Sequence, residues 1–284
     1  MWGRGLMANS RTKKRDKDDD RPVIWVGYGK LLKLFRERAH FTQQALADAV
    51  GYSYEQAASI EQGRRPAKAA FTDAAERVLD AGGALAVLQD DVDRAKLPSF
   101  FWDFALIETE AVSRFSYDPL LVPGLLQTEE YARALFAGHC PPLEDEIIEQ
   151  HTEARLNRQK LLTRTPLVDL SFVIEEAALH NPIGGREVMR GQLERLLEVR
   201  ALRNVEVQVM PSGRGFHPGL NGAFVVLETL EHRQVGYVES QETGVVVSDP
   251  ANVSACGLRY GKLRSQALSA EESARRIERL AGEA

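Results

Sequence analysis

Residues 42–65 read Thr-Gln-Gln-Ala-Leu-Ala-Asp-Ala-Val-Gly-Tyr-Ser-Tyr-Glu-Gln-Ala-Ala-Ser-Ile-Glu-Gln-Gly-Arg-Arg. The stretch predicts two short helices joined by a tight turn at Gly51. Thr42 stands where an N-cap is needed, because its hydroxyl accepts from an orphan backbone N–H of the first turn. Leu46, Ala47 and Val50 recur at helical spacing and form one buried stripe. Ala47 is small enough for a second helix to cross close above it. Gly51 supplies the permissive backbone of the turn. Tyr52 follows as an apolar plug, Ser53 caps the second helix, and Ala57 and Ile60 complete its inner face. Small residue, glycine and plug at these offsets are the helix-turn-helix pattern, whose second helix lies in the major groove of DNA. The competing reading is a plain helical hairpin inside a larger helical protein. The trailing Ile60-Glu61-Gln62-Gly63-Arg64-Arg65 weighs against it.

On the N-terminal side, Tyr28 to His40 has a helical pattern. Leu31, Leu32, Leu34 and Phe35 form its expected apolar face, and Arg36 and Arg38 stand outside, within reach of a DNA backbone or simply solvated. Residues 1–22 are polar and charge-dense, and are expected to form a disordered arm. On the C-terminal side, a helix is predicted from Ala69 to Leu79, then a break at Ala81-Gly82-Gly83 and a short helix with Leu85 and Leu88. Residues 23–90 are thus expected to make one all-α domain of about five helices.

The chain has 284 residues, 44% of them hydrophobic, with a net charge of −5. That is enough apolar material for two ordinary domains. The acidic balance argues against a protein that coats nucleic acid everywhere, but leaves room for a local basic face. No apolar run approaches the length of a membrane helix, and the N-terminus lacks a signal-peptide core. Cys140 and Cys256 are too few for a disulfide framework, so a reducing cytoplasm is expected.

Leu97-Pro98-Ser99 reads as a linker into a second domain, residues 100–284. The aromatic run Phe100-Phe101-Trp102-Asp103-Phe104 is expected to pack in a core between the two domains rather than to stack on bases. Ala105 to Phe115 reads as extended or mixed. Thr128 caps a helix from Glu129, and a long helix covers about Leu143 to Leu162, with His151 as a packing residue. The period then changes. Strands are predicted at 168–174, 205–210, 223–227, 235–239 and 244–247. Helices are predicted at 187–201 and 253–263, and a last one opens with a capping box at Ser269. The fold class is an all-α head followed by an α+β domain with a small sheet, helices first.

Gln43, Ala47, Gly51, Ser53, Ile60, Glu61, Gly63, Arg64 and Arg65 resemble the xenobiotic-response-element-like family of repressor-type helix-turn-helix domains. The stretches Pro123-Gly-Leu-Leu-Gln-Thr-Glu-Glu-Tyr-Ala-Arg, Gly215-Phe-His-Pro-Gly-Leu-Asn-Gly, Val238-Glu-Ser and Arg264-Ser-Gln-Ala-Leu-Ser-Ala-Glu-Glu-Ser resemble the second domain of actinobacterial antitoxin-like regulators. The resemblance implies that Gln43 clamps a phosphate. It implies that Tyr54, Glu55 and Gln56 face base edges, with Ser59 one turn on. Gln56 then suits adenine and Glu55 a cytosine amino group, while Arg64 and Arg65 hold the backbone. The expected DNA-binding set is Arg36, Thr42, Gln43, Ser53, Tyr54, Glu55, Gln56, Ser59, Arg64 and Arg65. Two departures stand out: Ala57 replaces a larger branched residue, and the reading face carries no arginine. Between Thr42 and Lys68, Arg64, Arg65 and Lys68 only balance Asp48, Glu55 and Glu61. One head should therefore bind modestly, and a homodimer on two half-sites is expected.

Catalytic patterns do not accumulate. Gly213-Arg214-Gly215 and Gly219–Gly222 do not lie between a strand and a helix as a phosphate cradle requires. His139-Cys140 is followed by two prolines, and Glu175-Glu176 with His180 lacks a second histidine for a zinc helix. No enzyme activity, metal or cofactor is expected. Two function classes remain: a double-stranded-DNA-binding regulator controlled through its second domain by a small protein partner or ligand, and an antitoxin-like interaction protein with little specific DNA reading.

Overall fold

The computed structural model describes residues 21–96, 101–241 and 243–283, and the backbone but not the side chain of Trp102. The expected disordered arm, apart from Arg21 and Pro22, and the expected linker at 97–99 lie outside the described residues. The chain divides into two compact units between Ala95 and Lys96.

The first unit is helical: α1 (Val23–Arg38), α2 (Gln43–Val50), α3 (Tyr54–Glu61), α4 (Ala69–Leu79) and α5 (Gln89–Arg94). The inner face of α1 differs from the expected one. Trp25, Tyr28, Leu32 and Arg36 are buried, whereas Leu34 is 59% exposed. The buried row follows the helical repeat through an arginine, which only works because Arg36 has an internal partner. Polar ties hold α1 to the rest: Trp25 Nε1 donates to the Val92 carbonyl at 3.0 Å, and the Tyr28 hydroxyl meets Thr72 Oγ1 at 2.7 Å. After α4, the Glu76 carboxylate accepts from the N–H groups of Gly83, Leu85 and Ala86, fixing the turn that the double glycine makes possible.

The second unit begins with α6 (Trp102–Thr109) and β1 (Ala111–Asp118), followed by α7 (Glu129–Ala137) and α8 (Asp145–Arg158). Then come β2 (Asp169–Glu175), α9 (Glu176–His180), α10 (Arg186–Val199) and β3 (Val205–Met210). β4 (Phe224–Thr229), β5 (Gln234–Ser240), β6 (Thr243–Val247), α11 (Pro250–Gln266) and α12 (Ala270–Glu283) complete it. The strands form one six-stranded sheet in the order β3-β2-β1-β4-β5-β6. β1, β2 and β3 are parallel, and β4 to β6 continue antiparallel from β1. The stretch read as extended or mixed is therefore a helix followed by a central strand, and the sheet does not wait for the helices to finish. β1 was obscured because Arg114, Ser116 and Asp118 occupy one of its faces.

Helices cover both sides. Phe104, Tyr131, Leu193 and Ile277 join Leu170, Phe172, Val207 and Leu227 in the larger core. Cys256, Tyr260 and Leu263 of α11 close the other face over Tyr117, Val173 and Phe224. Thr128 caps α7 through the Tyr131 N–H, and Ser269 and Glu272 form the expected capping box. His151 packs: its Nδ1 lies 2.7 Å from the Lys96 carbonyl oxygen and its ring meets Phe136. The outer edge of β3 is closed at Val209, whose N–H donates to Ser273 Oγ and whose carbonyl accepts from the Leu268 N–H. No described strand lies beyond β6.

Among the described residues, no helix is long and apolar enough to cross a membrane, and no group of His, Cys, Asp and Glu could hold a metal ion.

Candidate nucleic-acid interface

The helix-turn-helix is assembled by local bonds already visible in its residue types. Thr42 accepts from the Ala45 N–H at 3.1 Å and starts α2. Gly51 ends α2 at φ 77°, in the left-handed region where a side chain would be strained. Tyr52 meets Phe71 edge-to-face at 5.0 Å, so the plug is anchored on α4. Ser53 then starts α3 with a complete capping box: Ser53 Oγ accepts from the Gln56 N–H at 3.3 Å, and Gln56 Oε1 accepts from the Ser53 N–H at 3.2 Å.

Leu46, Ala47, Val50, Ala57 and Ile60 are all buried between the helices. The approach of α1 to α3 is closer than a side chain permits. A Cβ on Gly29 would lie 2.7 Å from the Ile60 carbonyl oxygen and closer still to that of Glu61. Gly63, at φ 66°, leaves no room for a Cβ against the backbone of Val26.

Arg36 is 8% exposed and does not stand on the surface. Its Nε donates to Glu61 Oε2 at 2.7 Å, Nη2 to Glu61 Oε1 at 2.8 Å and Nη1 to the Phe41 carbonyl at 2.8 Å. The expectation that Arg36 reaches the DNA backbone gives way, because its planar fork is committed to a buried carboxylate. Burial alone would raise the Glu61 pKa, but bonds from Arg36 and Gln43 outweigh it and hold the carboxyl below its ordinary range. The hydrogen bond to Glu61 in turn raises the Arg36 pKa.

Gln43 shares this network. Its Nε2 donates to Glu61 Oε1 at 2.9 Å, and its Oε1 accepts from the Tyr54 hydroxyl at 3.3 Å. The residue expected to clamp a phosphate thus ties the starts of α2 and α3 to the buried ion pair. Tyr54, Glu55 and Gln56 all stand exposed at the start of α3, and Ser59 is half-buried one turn later. The Ser59 carbonyl accepts from the N–H groups of Arg64 and Arg65, which sets the chain's path just beyond α3. Arg64 is exposed there and Arg65 is half-buried.

Two consequences were missed in the sequence. The Ser53-x-x-Gln56 spacing is itself the signature of a capping box, so the Gln56 carboxamide has a local task. The charge of the outer surface also differs from the simple count. Glu61 is neutralised by Arg36, so between residues 42 and 68 the exposed or half-buried charges are Arg64, Arg65 and Lys68 against Asp48 and Glu55.

A model described as a helix-turn-helix domain matches residues 28–88, and one described as Domain of unknown function (DUF5753) matches residues 101–279. No curated protein and no solved structure gives a significant match.

Proposed function

The chain belongs to the family of the Domain of unknown function (DUF5753), and for it we propose a sequence-specific, DNA-binding transcriptional regulator whose C-terminal unit receives the controlling signal. The observation that carries this reading is the start of α3. Its capped first turn leaves Tyr54, Glu55 and Gln56 exposed, and Arg64 follows at its far end. Helix-turn-helix domains read base edges from this part of the second helix, while flanking cations hold phosphates. With one excess cation over residues 42–68, a single head has little electrostatic affinity, so the regulator acts as a homodimer on two half-sites. The signal is a small protein partner or a small ligand at the second unit.

A second reading is an interaction protein with little specific DNA recognition. It is favoured by Gln43 and Gln56, whose carboxamides are both committed to internal bonds. A gel shift against DNA upstream of the chain's own coding region, with salt varied, decides between them. Binding to a discrete site that weakens steeply with salt supports the regulator. Absent or salt-insensitive binding overturns it.

A further inference from the structure

The central strand β1 carries an inward-facing row that a core strand does not need. Arg114, Ser116 and Asp118 lie on the sheet face whose neighbours in register are Leu170, Phe172 and Ile174 of β2 and Leu227 and Val225 of β4. Replacing buried ionic groups by apolar ones of similar size is often neutral or stabilising. Stability alone therefore does not account for the row.

Part of the row is internally matched. Glu108 bridges two guanidinium groups, accepting from Arg114 Nε at 2.8 Å and from Arg158 Nη2 at 2.8 Å. The remainder is not. Arg114 is 5% exposed, and its buried Nη1 has no hydrogen-bond partner. Arg155 of α8 lies 4.5 Å above the Phe136 ring and donates from Nη1 to the neutral Gln127 carboxamide at 2.8 Å; among the described residues, no carboxylate bonds it. On the acceptor side, Asp118 takes a hydrogen bond from Ser116 at 2.7 Å, and Glu239 takes one from Tyr237 at 3.1 Å. Burial pushes the Asp118 carboxyl up to about 6 and pulls the Arg155 guanidinium down to about 10. Both charges thus lack a full complement of partners.

The position also suits a ligand. From β1 the sheet grows one way through β2 and β3 and the other way through β4 to β6. β4 runs antiparallel to β1 and β5 antiparallel to β4, so β1 and β5 are parallel and their carboxyl ends lie at the same end of the sheet. Asp118 is the last residue of β1 and is only partly buried, and Glu239 near the end of β5 is exposed, so the cluster reaches solvent at that end.

We propose that this cluster binds a small organic acid with one carboxylate, held by Arg114 and Arg155, while its own hydroxyl or amino group donates to Asp118 and Glu239. A dianion such as phosphate is disfavoured by the two carboxylates. This proposal rests on the reading of the second unit as the element that receives a signal.

The test is thermal unfolding of the full chain with α-amino, α-hydroxy and α-keto monocarboxylic acids of two to eight carbons, and separately with inorganic phosphate. Expected is a rise in midpoint of roughly 5 °C at saturation for the α-amino or the α-hydroxy acids, and a much smaller one for the α-keto acids, which offer no donor. It should be absent in Arg155→Met and reduced in Asp118→Asn, with no comparable rise from phosphate. Arg155→Met removes a half-buried cation without touching the Glu108 bridge, so it should fold, and circular dichroism verifies this. No rise with any amino or hydroxy acid, a rise that survives Arg155→Met, or an equal rise with phosphate overturns the site. The gel shift on the same samples separates the two readings: DNA binding without a midpoint rise sinks the acid site alone, and a midpoint rise without DNA binding sinks the regulator alone.

Discussion

Arg36 and Glu61, 25 residues apart, form a two-point ion pair at 2.7 and 2.8 Å inside the first unit, joining the end of α1 to the end of α3. The Phe41 carbonyl and the Gln43 carboxamide complete the polar shell around the pair. Helix α3 is thereby fixed from beneath by charge as well as by packing.

Removing one partner leaves the other buried and uncompensated. Arg36→Ala or Glu61→Ala should each cost about 3–5 kcal/mol in the first unit. The paired replacement Arg36→Met with Glu61→Leu should cost much less. Urea unfolding followed by hydrogen exchange at the α1 to α3 amides measures both. Equal losses in the single and double variants would contradict the pairing.

The same pair sets an acid limit. The folded Glu61 pKa is depressed, so the unfolded chain takes up the proton first as the pH falls. The stability it contributes is present above about pH 4.5 and is lost as the pH drops through the lower folded value. Exchange protection of α3 should therefore fall below pH 4.5. Its pH dependence should flatten in the double variant.

Gly29 is needed for space. Gly29→Ala drives a methyl into the backbone carbonyls of Ile60 and Glu61, where nothing flexible can yield. The first unit should lose about 2–3 kcal/mol, near the upper end of overpacking costs. Gly27→Ala, one residue pair away on the same helix with open space around it, is the control and should be neutral or mildly stabilising.

Arg64 and Gln56 should fail differently on DNA. Arg64→Ala should weaken binding to all sequences alike and lower the salt slope by about one. Gln56→Ala should relax sequence preference, and also cost roughly 1 kcal/mol of α3 stability through the lost capping box. Gel shifts on matched and scrambled sites separate the two effects. Equal loss of preference from both changes would contradict the division of labour.

Much of this was legible from residue types with local consequences. Thr42, Gly51, Ser53, Thr128 and Ser269 all act within one turn of chain, and spacing alone exposes them. Strands β2 to β6 announced themselves through branched residues. What was not legible depends on distant partners. Arg36 reads as an outward residue, reaching a DNA backbone or simply solvated, until Glu61 is brought beneath it, and Leu34 reads as core because the true inner row passes through that arginine. β1 was hidden for a related reason: Arg114, Ser116 and Asp118 break the alternation by which a half-buried strand is recognised.

The two edges of the sheet are unequal, and that inequality sets a limit on assembly. At β3 the outward groups of Val209 are already taken by Ser273 and Leu268, so an arriving strand would lose its ladder there. On its outer side β6 has no described strand. A sheet extendable on one side only cannot propagate into a fibre. Two copies joined edge to edge through β6 would consume each other's open edge and stop at a pair.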